Sequence, residues 1–176
     1  EPDENNLGGT TYSYKNKYEE FPGQATGPFL NNSYQTLQYT APLTIVDRSS
    51  QPNDVSAMSS TFSFNPTYIP SNPVFKGTSV RVKVIKPGYL PSTIVTKHYF
   101  ISPQGSTKFS LPVVSLNLNE DRFYDYNNGI FVAGVDFDTW SAANPSGSAN
   151  ASKAGNYYRE VNDERVGNMS YFVSGV

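Results

Sequence analysis

Trp140, Tyr157 and Tyr158 are the side chains of this sequence best suited to holding a ligand. Three rings on one flat face would stack against sugars, as in a carbohydrate-binding platform. The competing reading is structural: rings that bury large area usually anchor a loop against an aromatic core. Two carboxylate pairs, Asp136 with Asp138 and Glu160 with Glu164, have the residue types of a glycosidase acid and nucleophile. That chemistry needs two carboxyls across a cleft at a set separation, one with its pKa raised by burial. Spacing along a chain supplies neither condition, and solvated loop carboxylates are the simpler assignment.

Asp125, Asn127 and Asn128 ahead of Gly129 suggest a calcium loop. An EF-hand needs glycine at its sixth position and a late bidentate glutamate, and the sixth residue from Asp125 is Ile130. A turn leading into glycine accounts for the same residues. Gly77, Gly88, Gly105, Gly129 and Gly134 are too dispersed to cradle a phosphate, and no Gly-Lys-Ser/Thr follows any of them. The chain has one histidine, His98, and no cysteine, which argues against Ser-His-Asp catalysis and excludes disulfides and thiolate metal sites. His98 alternates with Tyr99 within a strand-like run and reads as a hydrogen-bonded or edge histidine. No catalytic residue, metal ligand or cofactor is assigned.

The elements that must position these groups read as strands. The 176 residues suffice for one ordinary domain or two small ones. Hydrophobic content is only 37%, but 13 tyrosines and 11 phenylalanines are present, so rings must build much of the core. The spine is Lys76 to Ile101. Val80, Val82 and Val84 alternate in a period of two, Lys86-Pro87-Gly88-Tyr89 makes a turn, and a β-branched and aromatic run continues from Ser92. Further strands are expected at Thr10 to Tyr14, Leu37 to Thr40, Leu43 to Val46, Leu111 to Leu116, Gly129 to Val132 and Val166 to Val173. Phe21 to Asn32 reads as a loop, Asn119 to Phe123 as a short helical turn, and no long amphipathic helix is legible. Phe62, Phe64, Tyr68 and Ile69 are the candidates to pack down the long segment from Asp47 to Pro73. The net charge of −2, with scattered lysines and arginines, points away from nucleic acid, and no apolar run reaches membrane-spanning length.

Two stretches carry a resemblance. Tyr39 to Met58 (YTAPLTIVDRSSQPNDVSAM) and Pro73 to Ile101 (PVFKGTSVRVKVIKPGYLPSTIVTKHYFI) resemble the β-sandwich module that precedes CotH-type domains in bacterial surface proteins. That module is similar to the C-terminal domain of chitobiases and β-hexosaminidases. Leu111 to Gly134 (LPVVSLNLNEDRFYDYNNGIFVAG) resembles the opening of the CotH domain itself. So does Asp138 to Val173, with Trp, Asn-Pro, Gly-Asn-Tyr, Glu-Arg and a final strand in order. The likeness covers roughly residues 37 to 174. The Asp-Gly-Ser turn common near the start of related modules has no counterpart here.

The resemblance implies a mainly β chain. A flexible linker over residues 1–9 precedes an immunoglobulin- or fibronectin III-like sandwich over 10–102, and a linker at 103–107 leads to the N-terminal segment of a CotH-like domain over 108–176. It implies an atypical protein kinase whose nucleotide and metal residues lie downstream of the matched segment, so no family catalytic residue falls on this chain. The expectation is a non-catalytic accessory module of an extracellular or cell-surface protein, with a downstream kinase-like domain as partner and without cofactor, nucleic acid or membrane insertion. The alternative is a carbohydrate-binding module that contacts cell-surface glycan through Trp140, Tyr157 and Tyr158.

Overall fold

The computed structural model describes residues 2–149, 154–159 and 163–173. In chain order the elements are β1 (Thr10–Tyr14), β2 (Leu30–Tyr34), β3 (Thr78–Val82), β4 (Val95–Tyr99), β5 (Val113–Asn117), α1 (Glu120–Tyr124), α2 (Gly134–Ala143) and β6 (Asn168–Phe172). Single 3-10 turns occur at Val55–Ala57, Gly105–Lys108 and Asn156–Tyr158. The strands form three antiparallel pairs, β1–β2, β3–β4 and β5–β6.

Local chemistry explains most of these elements. β3 and β4 flank a turn in which the Tyr89 N–H donates to Lys86 O at 3.1 Å and Gly88 takes φ +80°, as proline followed by glycine favours. β2, in a stretch expected to be loop, forms because its register places Asn32 opposite Tyr12 on β1. The Asn32 amide then donates to the Tyr12 hydroxyl and to Glu120 Oε2, both at 3.2 Å.

The strands expected at Leu37 to Thr40 and Leu43 to Val46 are not formed. Leu37, Tyr39, Leu43 and Val46 are exposed, and these segments find no partner among the described strands to complete a ladder. Gly129 to Val132 is turn rather than strand. Its N–H groups are taken by the end of α1: Ile130 donates to Arg122 O and Phe131 to Phe123 O. A Cβ on Gly129 would stand 2.6 Å from Asp125 O, so only glycine fits beneath that turn.

Two packing centres result. The first is aromatic: Tyr18, Ala133, Phe137 and Ala149 are buried together, with Phe62, Tyr126, Trp140, Ala154 and Tyr157 packed around them. Phe137 stacks on Phe62 at 5.1 Å and meets the Tyr18 ring edge-on at 5.7 Å. In the second, the β3–β4 pair lies against β5–β6. His98 on β4 reaches Ser115 on β5 and Asn168 on β6, while Phe100 packs edge-on against Phe172 at 5.3 Å.

The sandwich expected over residues 10–102 is not assembled by the described strands. Sheets of three or more strands do not occur among them, and β1–β2 docks on α1 instead of joining β3–β4. Side chains from both sides of the expected 103–107 linker share the aromatic core, Tyr18 and Phe62 meeting Ala133 and Phe137.

Candidate functional site

The groups with chemical potential gather where the segment after β1 meets α2. Gly134 opens α2 at φ +61°, where a Cβ would lie 2.2 Å from the Asn156 amide nitrogen. Its N–H donates to the Tyr18 hydroxyl at 3.0 Å, over 116 residues of sequence. Asn156 is buried beside it. The Asn156 amide group donates to Tyr126 O and Gly129 O, each at 3.0 Å. Its Oδ1 accepts from the Asp136 N–H at 3.2 Å, satisfying a donor of the first helical turn, and from Arg159 Nη2 at 3.1 Å. Arg159 also donates to both oxygens of Asp136, at 2.6 and 3.1 Å, and to Asn127 O at 2.8 Å. That carboxylate holds the guanidinium pKa above its ordinary value. One amide and one guanidinium thus tie the turn at 127–129, the start of α2 and the 156–159 turn together.

Lys15 lies just across α2 and is buried. Its ammonium pairs with Asp138 and sits 5.0, 5.3 and 5.5 Å from the ring centres of Tyr18, Tyr126 and Phe29. Three rings and a carboxylate thus surround the ammonium. The Tyr126 hydroxyl donates to the same Asp138 oxygen at 2.5 Å. Burial first, and then this hydrogen bond, push the Tyr126 phenol far upward.

A second polar group joins β1–β2 to α1. The Tyr12 hydroxyl donates to Glu120 Oε2 at 2.9 Å, and the Tyr34 hydroxyl to Asp121 Oδ1 at 2.6 Å. Burial raises Glu120 above the ordinary glutamate range, although the Tyr12 bond acts in the opposite sense. Burial, helped by Asp121, pushes Tyr34 up to about 12.

The sequence candidates fall into this frame as follows. Trp140 tilts against Phe137 at 5.8 Å, and both Trp140 and Tyr157 lean on the aromatic core. Tyr158 is exposed and meets Tyr157 at 66° between ring planes, so the three rings do not form one flat exposed face. Asp136 and Asp138, two apart on α2, are taken by different cations, Arg159 and Lys15, and positions i and i+2 of a helix do not face one another. Glu164 lies in the segment before β6, and Glu160 lies outside the described residues. Asp125 Oδ1 accepts from the N–H groups of Asn127 and Asn128 at 2.9 and 2.8 Å, the geometry of an Asx turn. Among the described residues no three His, Asp or Glu side chains are placed to hold a metal ion.

His98 is hydrogen-bonded, as its place in a strand suggested. Nδ1 lies 2.8 Å from Ser79 Oγ and 2.9 Å from Ser115 Oγ, and Nε2 lies 3.2 Å from Asn168 Oδ1. The amide oxygen can only accept, so Nε2 carries the proton. Lys15, Tyr18, Asn156 and Arg159 were not singled out from the sequence. The nearest signal was Gly155-Asn156-Tyr157, a glycine before a polar residue within an aromatic run. Chemically, the assembled groups cross-brace distant segments; every cation and carboxylate of the cluster around α2 is engaged by another. Compared with protein-family models, curated proteins and solved structures, the chain finds no match.

Proposed function

We propose that this chain is a non-catalytic accessory module of a bacterial cell-surface protein of the CotH type, positioning a downstream kinase-like domain. The observation that carries the proposal is the shared core: Tyr18 and Phe62, from before the expected linker, pack with Ala133 and Phe137 from the CotH-like segment. A spacer that fixes orientation must couple its two ends stiffly, and buried contacts across the junction do that where a bare Gly/Ser linker would not. The likeness of Leu111 to Gly134 and Asp138 to Val173 to a CotH opening gains a physical reason in this reading. Those stretches supply Gly134, Asn156 and Arg159, which brace against Asp136 in the short gap between them.

The carbohydrate reading loses its platform, since Trp140 and Tyr157 spend their surface on the core. The test is Trp140 fluorescence, titrated with soluble glycans and with Mg-ATP, beside urea unfolding followed by far-UV circular dichroism and by fluorescence. Flat titrations and coincident unfolding curves are expected. A saturable glycan response lost in Tyr158→Ala would establish the carbohydrate module instead. Saturable ATP binding would overturn the non-catalytic assignment. Separated unfolding curves would remove the stiff spacer.

A further inference from the structure

Beyond the Val113–Phe172 pair, the alternation of β5–β6 is inverted. In a one-sided antiparallel sheet the apolar residues face the protein and the polar ones face water. Here the half-buried side chains are Ser115, Asn117, Asn168 and Ser170, with Val113 and Phe172 paired at one end, and Ser115, Asn168 and Phe172 reach His98 and Phe100 of the β3–β4 side. The outward residues are Val114, Leu116, Met169 and Tyr171, exposed to 56%, 70%, 69% and 62%. The register sets Val114 opposite Tyr171 and Leu116 opposite Met169, so the four form one continuous apolar patch. Val173 extends it, 56% exposed. A one-residue slip would turn these residues inward, but the bonds of His98 to Ser115 and Asn168 fix the register that leaves them outside.

We infer that this face is the seat of a second copy of the chain, packed face to face about a two-fold axis. Charge and area favour that occupant. None of the four patch residues carries a charge, so two copies meet without repulsion, and the face offers no lysine or arginine to hold an anionic surface. Each such side chain can remove roughly 60–120 Å² of apolar area from water. Five of them, about two-thirds exposed, give roughly 200–400 Å² per copy. With an apolar share of about 60%, the interface would total roughly 700–1,300 Å² over both copies. That range spans the ~1,000 Å² at which specific association begins, the size of a weak and reversible dimer. The contact adds a second layer to a sheet that has one bare side. This inference goes beyond the proposed accessory role and does not depend on it.

The test is sedimentation velocity of the full chain from about 1 to 300 µM. Wild type should shift from monomer to dimer across that range. Leu116→Lys with Met169→Lys should weaken association at least tenfold, with far-UV circular dichroism and urea midpoint unchanged. Val84→Lys, an exposed apolar site on the other hairpin, should leave it intact. The chain contains no cysteine, so Met169→Cys provides a second route that needs no charge in the patch. Mild oxidation should trap it as a covalent dimer, and Val84→Cys should remain monomeric. Wild type that stays monomeric throughout would overturn the inference. So would an open series of higher oligomers, which would place the contact at strand edges, or equal trapping of both cysteine variants.

Discussion

Replacing Asn156 tests whether one buried amide holds the cross-brace. Its side chain bonds to Tyr126 O, Gly129 O, the Asp136 N–H and Arg159, with a longer bond at 3.5 Å to Asn127 O, which Arg159 also serves. In Asn156→Ala two of these partners have support elsewhere, because Tyr126 O also accepts from the Val135 N–H and Arg159 keeps Asp136. Gly129 O and the Asp136 N–H lose the bond that Asn156 gave them. A buried polar group left unpaired costs about 1–3 kcal/mol, so the loss should be about 2–6 kcal/mol. Against a total stability of about 5–15 kcal/mol, that is a large fraction. With an m-value near ~2 kcal/mol per M, the urea midpoint should fall by about 1–3 M.

Asn156→Asp sharpens the test because it keeps shape while turning the donor into an acceptor aimed at two carbonyl oxygens. Burial and those oxygens raise the folded-state pKa of the new carboxyl. Arg159 and the Asp136 N–H pull the other way, but Arg159 is already neutralised by Asp136, so the net shift is upward from the unfolded value. A group raised in this way contributes stability below its unfolded pKa and loses it as pH rises through the folded one. The deficit of Asn156→Asp relative to wild type should therefore be large at neutral pH and shrink toward pH 4. The assay is urea denaturation at a series of pH values, followed by Trp140 fluorescence. A loss below about 1 kcal/mol for Asn156→Ala, or an Asn156→Asp variant that tracks wild type at every pH, would refute the reasoning.

Three further outcomes follow from the same geometry. Gly134→Ala should lose about 2–4 kcal/mol in urea denaturation, from its positive φ and from the clash with Asn156. Combined with Asn156→Ala the losses should be less than additive, because the clash goes with the amide. Lys15→Met, which leaves Asp138 and the rings without their cation, should lose about 3–5 kcal/mol, and Lys15→Met with Asp138→Leu should regain part of that in thermal melts. Glu120→Gln keeps an acceptor for Tyr12 and removes a carboxyl whose pKa burial raises. The charged form is the disfavoured one, so the variant should exceed wild type in urea midpoint near pH 7 and lose that advantage as the pH falls through the raised folded-state pKa to the ordinary glutamate value.

The strands that the sequence made legible are those whose partners lie nearby or whose pattern is strongly β-branched. β1 was expected at its observed bounds, β3 and β4 came from alternation around a Pro-Gly turn, and β5 and β6 from apolar runs near either end of the stretch from Leu111 to Val173. The short helical turn expected at Asn119 to Phe123 is α1. β2 was hidden because Asn31 and Asn32 read as loop residues until Asn32 finds Tyr12 and Glu120. α2 was hidden because Phe137 and Trp140 carry most of its buried face, too few residues for a helical stripe to stand out. Its start depends on Gly134 at positive φ and on an acceptor supplied by Asn156, twenty-two residues later.

By itself the sequence determined a cysteine-free chain with a single histidine, an aromatic rather than aliphatic core, and one hairpin spine. Those features follow from composition and from local turn and strand preferences, which act over a few residues. Only the tertiary structure decided where the chemistry went. It turned Trp140 and Tyr157 onto Phe137, separated Asp136 from Asp138 by giving each its own cation, and placed Lys15 within three rings. These outcomes depend on contacts spanning up to 123 residues, such as Lys15 with Asp138. Which groups meet across such a span is fixed by the packing that brings them together, and local propensity carries no record of it.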